Sequence, residues 1–198
     1  MAVDEWLLRS GSEHPLLRIY EWQGDWVSLG YFQSLGEARS IFGEEPQYVR
    51  RWTGGGIVDH RSDTTYTLII PRNVEVARLR GADSYCAIHQ AVADCLGKQG
   101  VSCALTGEDS SSQSKACFQK PVRWDLVAPD GRKLAGAGQR RNREGVLHQG
   151  SVAGAPCVLK GLENSLAKDV QERSFDQVEE LDNYVGKYSS DDWLSRIP

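Results

Sequence analysis

Three consecutive glycines, Gly54, Gly55 and Gly56, interrupt the run R-R-W-T-G-G-G-I-V-D-H-R-S-D-T-T-Y at residues 50–66. A glycine triplet is poor helix or strand material, because each residue loses much backbone freedom on ordering. The chain must turn there. Three missing Cβ atoms leave backbone N–H groups uncovered, so a flat or anionic ligand can lie against the main chain. A tight turn or a β-bulge without a ligand is the alternative. A second glycine-bearing segment, residues 131–151, carries Lys133 in G-R-K-L-A-G-A-G-Q-R-R and continues to L-H-Q-G-S.

The 198 residues suit one domain spanning 1–198, with residues 160–198 as a helical C-terminal segment. A net charge of −4 lacks the basic excess of a nucleic-acid binder. No apolar run approaches the length of a membrane span. The opening M-A-V-D-E-W has neither the basic nor the apolar region of a signal peptide. Five cysteines with no C-x-x-C pair read as reduced thiols in a cytoplasmic protein, and nothing is spaced for zinc.

Periodicity predicts helices at 2–9 and 35–42, and a longer one capped by Asp83 or Ser84 that ends at Gly97 or Gly100. Strands are expected at 16–22 and 26–29, joined as a hairpin across Gly24-Asp25, and at 48–51, 65–70, 124–127, 133–140 and 146–152. Beyond Pro156 the pattern turns helical, at 158–166, 175–188 and a final turn after Ser190. Strands and helices mix without regular alternation, which predicts an α+β domain with a mixed, mainly antiparallel sheet flanked by helices.

Nearly the whole chain resembles the biotin/lipoate protein ligase and transferase family, specifically its lipoate branch. The resemblance rests on V-S-L-G-Y-F-Q, on R-R-x-T-G-G-G-x-V-x-H, on A-C-F-x-x-P, on D-L-V, on G-R-K-L-A-G and on the closing K-Y-S-S-D-D-W-L. It implies the catalytic fold of that family, which is like that of class II synthetases. T-T-Y-T-L, S-Y-x-x-I-H-x-A and A-C-F-Q-K-P are similar to the octanoyltransferases of the branch. Three details depart from them: G-G-G replaces G-G-R, as in the ligases; His148-Gln149-Gly150-Ser151 replaces Q-H-G-S; and Gly138 stands in G-A-G-Q where G-S-A-Q is usual.

The resemblance implies two catalytic residues. Lys133 would polarise the acyl carbonyl, and Cys117 would accept the acyl group as a thioester, its thiolate favoured by Lys115, Lys120 and Lys133. Taken alone, Lys133 reads rather as a solvated lysine after a turn, and Cys117 equally as a small apolar residue beside Phe118. The substrate-binding set would be Arg51, Gly54, Gly55, Gly56, His60, Gly136, Ala137 and His148. His60 is open to two roles, a proton shuttle or a hydrogen-bonding group that fixes the turn, and His148 to acyl contact or structural support. Arg50, Arg51, Arg132, Arg140, Arg141 and Arg143 form a basic cluster in sequence, suited to phosphates, to an acidic carrier face or to a solvated edge. Cys86, Cys95 and Cys103 read as packing.

The expected reaction is transfer of an octanoyl or lipoyl group onto a lysine of a lipoyl domain, from octanoyl-acyl carrier protein through a cysteine thioester. The partners would be lipoyl-domain proteins and acyl carrier protein. No metal and no tightly bound cofactor are expected. An ATP-dependent lipoate–protein ligase, which would use ATP and magnesium through lipoyl-AMP, is the alternative. A homologue that binds the acyl group without turnover is a third reading.

Overall fold

The computed structural model describes residues 1–107, 121–154, 156–174 and 179–196. Helix α1 (Ala2–Arg9) leads to β1 (Leu16–Tyr20), β2 (Trp26–Leu29), α2 (Leu35–Phe42), β3 (Gln47–Arg50), β4 (Ile57–Asp59) and β5 (Asp63–Pro71). Helices α3 (Glu75–Arg78) and α4 (Gly81–Lys98) follow. Strands β6 (Ala104–Leu105), β7 (Leu126–Val127), β8 (Lys133–Arg141) and β9 (Gly145–Ala153) come next. A 3-10 turn (Pro156–Leu159), α5 (Leu162–Leu166), α6 (Glu179–Tyr188) and α7 (Asp191–Ser195) complete the order.

The strands form two sheets. The larger has the order β1-β5-β9-β8-β7-β6, with every neighbouring pair antiparallel. The smaller is mixed, β3-β2-β4, with β2 parallel to β3. This corrects the expected hairpin. Gly24-Asp25 does turn the chain, but β1 pairs with β5 and β2 pairs with β3 and β4, so the two strands belong to different sheets.

Both faces of the large sheet are covered. Leu68 and Ile70 of β5, with Val146 and Val152 of β9, pack against Ile88, Val92 and Leu96 of α4. Their neighbours Ile69 and Leu147 point the other way, onto Leu7 and Leu8 of α1, Trp52 and Trp193. The unbroken apolar run L-I-I in β5 is what a strand buried on both faces requires. Helix α4 begins one turn before the predicted cap, at Gly81, and Ser84 donates its hydroxyl to the Gly81 carbonyl from inside the helix. Gly100, at φ +80°, takes the left-handed position after its end, where a Cβ would be strained. The helical stretch expected at 158–166 is broken by Gly161 at φ +85°, which separates the 3-10 turn from α5.

Arg50 holds the C-terminal helix in place. Its guanidinium has no exposed surface and donates to the carbonyls of Gly30, Tyr31, Gln33, Trp193 and Leu194. The Trp193 indole returns a bond to the Arg50 carbonyl at 3.0 Å.

Candidate active site

Strand β3 delivers Arg51 to the start of the glycine turn, which lies between the two sheets. The turn rests on the residues that follow β2: the Gly30 N–H donates to the Gly56 carbonyl and the Tyr31 N–H to the Thr53 carbonyl. Its other side meets the large sheet. Thr53 donates to the side-chain oxygen of Gln149 on β9 at 2.8 Å, and a Cβ on Gly138 of β8 would overlap the Gly54 carbonyl oxygen. Gly138 is therefore the complement of the triplet, because only a residue without a side chain allows this approach of two backbones.

From this contact the space between the turn and β8 opens into a cleft of about 310 Å³. Arg51, Gly55, Gly56 and His60 line one wall, with β4 between them; Lys133, Gly136 and Ala137 line the other. Gln149 and Ser151 of β9 close its floor. Gly54 stands just behind, its carbonyl turned toward Arg51 at 3.3 Å.

Lys133 is held by Asp125. Its Nζ lies 2.7 Å from Oδ2 of this fully buried carboxylate, which also accepts the Val122 N–H at 2.8 Å and the Tyr85 hydroxyl at 2.5 Å. The β7–β8 register shifts at Leu126/Val127, so β8 carries one extra residue there. That bulge breaks strict alternation, and the lysine stem folds back over its own strand. A Cβ on Gly136 would lie 2.5 Å from both Cε and Nζ of Lys133. The K-x-x-G spacing thus has a steric cause.

Arg51 is spent on the turn. It donates to the carbonyl and hydroxyl of Ser28 at 3.1 and 2.6 Å and to the carbonyls of Gly54 and Gly56. Burial pushes its pKa down to about 10, opposed by Tyr20 and Asp63. His60 completes the network. Its Nδ1 lies 2.9 Å from an Asp63 carboxylate oxygen and its Nε2 lies 2.6 Å from the Ser28 hydroxyl. A carboxylate only accepts, so Nδ1 carries the proton, and in the neutral ring Nε2 accepts from Ser28. Trp22 stacks on the ring at 4.4 Å. Both ring nitrogens are thus hydrogen-bonded within the network that supports the turn.

Two expectations need correction. His148 does not reach the cleft. β-strand alternation sends it to the opposite face, where it is fully buried between Tyr66 (3.1 Å) and Gln139 (3.0 Å). Burial holds its pKa well below the usual histidine value. Gln149, the next residue, takes the cleft position, and its amide nitrogen donates to the buried Asp4 at 2.7 Å. The basic cluster also disperses. Arg50 is consumed by carbonyls, Arg141 donates to Ala77 and Ser84, and Arg143 and Arg132 pair with Glu144 and Asp130. Cys117 lies outside the described residues, as do Lys115 and Lys120. Val122, five positions after Cys117 in the sequence, lines the cleft.

The residues that sequence reasoning passed over are Asp125, Tyr85, Ser28, Asp63 and Gln149. Asp125 and Tyr85 stood inside motifs already noticed, D-L-V and S-Y-x-x-I-H. Nothing local links either one to Lys133, because they meet only through the fold.

Residues 1–188 match the profile of the lipoyl protein ligase A/B catalytic domain. The chain belongs to this family. Among curated relatives, it is 33% identical over 159 residues to octanoyltransferase LipM of Oceanobacillus iheyensis, covering 77% of this chain and 58% of that protein. It is 33% identical over 167 residues to octanoyltransferase LipM of Kyrpidia tusciae, covering 77% and 60%. The chain thus spans about three fifths of the length of these lipoyl-ligase-family relatives. The fold is shared with two solved members. One is the bipartite lipoate protein ligase studied with its E2 lipoyl domain from Thermoplasma acidophilum (TM-score 0.71, 18% identity, 100% of this chain and 91% of that one). The other is a lipoate-protein ligase A bound with ATP (TM-score 0.72, 19% identity, 100% and 93%). No described helix of the chain is long and apolar enough to cross a membrane.

Proposed function

We propose that residues 1–198 form one catalytic unit that transfers an octanoyl or lipoyl group onto a lysine of a lipoyl domain, with Cys117 as the thioester-forming nucleophile. The cleft between the glycine turn and β8 receives the acyl chain. The Lys133 ammonium and uncovered N–H groups of the glycine turn stabilise the oxyanion that forms when the thiolate attacks the donor thioester. Collapse of that intermediate expels the carrier thiol, and the acceptor amine later releases Cys117 as a free thiol.

One observation favours a thioester donor over an acyl-adenylate. Two cationic side chains that line the cleft are already engaged: Lys133 with Asp125, and Arg51 with Ser28 and the glycine carbonyls. A neutral thioester asks for no further positive charge, whereas an adenylate phosphate does. The G-G-G form of the turn, shared with ligases, favours the second reading, an ATP-dependent lipoate ligase. Intact-mass analysis separates the two. With octanoyl-carrier protein the chain should gain one octanoyl mass, and Cys117→Ser should lose it. ATP-dependent lipoylation insensitive to Cys117→Ala would select the ligase instead.

A further inference from the structure

Helix α4 places Tyr85 and His89 one turn apart on the side that faces Asp125. Tyr85 donates its hydroxyl to Asp125 Oδ1 at 2.5 Å and accepts the Ala137 N–H of β8 at 2.8 Å. His89 engages the Trp124 carbonyl through Nδ1 at 2.7 Å. Its ring packs 4.1 Å from the Tyr85 ring, and His148 lies 5.5 Å from both. Trp124 sits at φ +71°, a left-handed conformation that a bulky side chain rarely adopts without outside support. One helix therefore grips the Trp124–Asp125 step at two points, the carboxylate and the preceding carbonyl. The carboxylate so held is the one that carries the Lys133 ammonium. The motif S-Y-x-x-I-H supplies both contacts, and neither side chain lines the cleft.

We propose that Tyr85 is a positioning residue that acts through Asp125 to fix the Lys133 ammonium at the cleft wall, with His89 holding the backbone step that aims Asp125. Both faces of the device matter. The phenol bonds a carboxylate oxygen that the lysine leaves free, so the carboxylate cannot rotate away from the ammonium. The same phenol anchors Ala137, so the strand wall and the lysine keep a constant separation. Tyr85→Phe removes the hydroxyl without changing the ring packed against His89 and His148. The loss should therefore appear in the behaviour of Lys133 before it appears in folding.

The proposal rests on the acyl-transfer reading for its catalytic consequence, but not for its geometry, and two measurements keep the failures apart. The first reads Lys133 directly. Labelling by an amine-reactive reagent, followed by peptide mapping, should be several-fold faster in Tyr85→Phe than in the unsubstituted protein, with Lys98 as an unaffected reference. The second is single-turnover acylation from octanoyl-carrier protein, which should slow about tenfold, the effect of about one lost hydrogen bond to a charged group. In both, most of the Tyr85→Phe effect should disappear in an Asp125→Asn background, because the tyrosine reaches the lysine through the carboxylate and only its Ala137 anchor acts apart from it. Unchanged Lys133 labelling in Tyr85→Phe, or additive effects in the double variant, would overturn the proposal. Changed labelling without any acylation in the unsubstituted protein would sustain it while removing the transferase reading.

Discussion

The ammonium of Lys133 stands 2.7 Å from Oδ2 of Asp125, a carboxylate with no exposed surface, while the lysine side chain keeps 29% of its own. Asp125→Ala would leave the Tyr85 hydroxyl and the Val122 N–H without their acceptor. The expected cost is roughly 2–3 kcal/mol in denaturant unfolding, below that of a fully buried pair because the ammonium still meets solvent. Asp125→Asn should cost less stability yet still slow acyl transfer, since the shape is kept and the charge is lost.

Two glycines of β8 predict different outcomes. Gly138 lies against backbone, so Gly138→Ala must push the glycine turn away. Its unfolding free energy should fall by roughly 1–3 kcal/mol, as for other overpacked sites. At Gly136 the obstacle is the flexible end of Lys133. Gly136→Ala should displace the lysine from the buried Asp125, so that acyl transfer falls while the stability lost stays below that of Gly138→Ala, because a flexible side-chain tip and not backbone must move. Equal effects of the two substitutions on stability would contradict this assignment.

Stability should fall in mild acid. His89 is buried and burial lowers its pKa to about 4, and His148 is lowered in the same direction. An unfolded chain binds protons on these rings below about pH 6.5, while the folded chain does not until near pH 4 for His89. Stability is therefore full above pH 6.5 and is lost as pH falls toward 4. At pH 5 the contribution of His89 is a loss on the order of 2 kcal/mol. Urea unfolding at pH 7 and pH 5 tests it, and His89→Gln should show a smaller difference between the two.

Arg50 links the glycine strand to the C-terminal helix through carbonyls alone. Arg50→Lys cannot reproduce a planar fork with five donors. Limited proteolysis should then cut within residues 179–196 at protease levels that leave the unsubstituted chain intact.

What could be read in the sequence follows from range. The strands around Lys133 and His148, the opening helix and the closing turn at Ser190 declare themselves within ten or so residues, and the structure has them. The failures come from contacts across the chain. Gly24-Asp25 carries a hairpin signal, yet β2 finds a parallel partner in β3, and no local pattern encodes that choice. His148 stands beside Gln149 in sequence, and only the register of β9 against β8 decides which of them faces the cleft. The basic run around Arg50 looked available for anions because sequence shows charge but not the carbonyls that surround it. Asp125 is the sharpest case: the bulge that lays Lys133 over Gly136 beside this carboxylate exists only as a register shift between two strands.

If the proposed function holds, the glycine turn and the Lys133 strand are two walls of one acyl-binding cleft. An octanoyl thioester carrying a photoreactive group at the end of its chain tests this most directly, by cross-linking and peptide mapping. Label is expected on both walls, in peptides containing residues 54–57 and 134–138. Label confined to α4 and the far face of the sheet, or on neither wall, would contradict it.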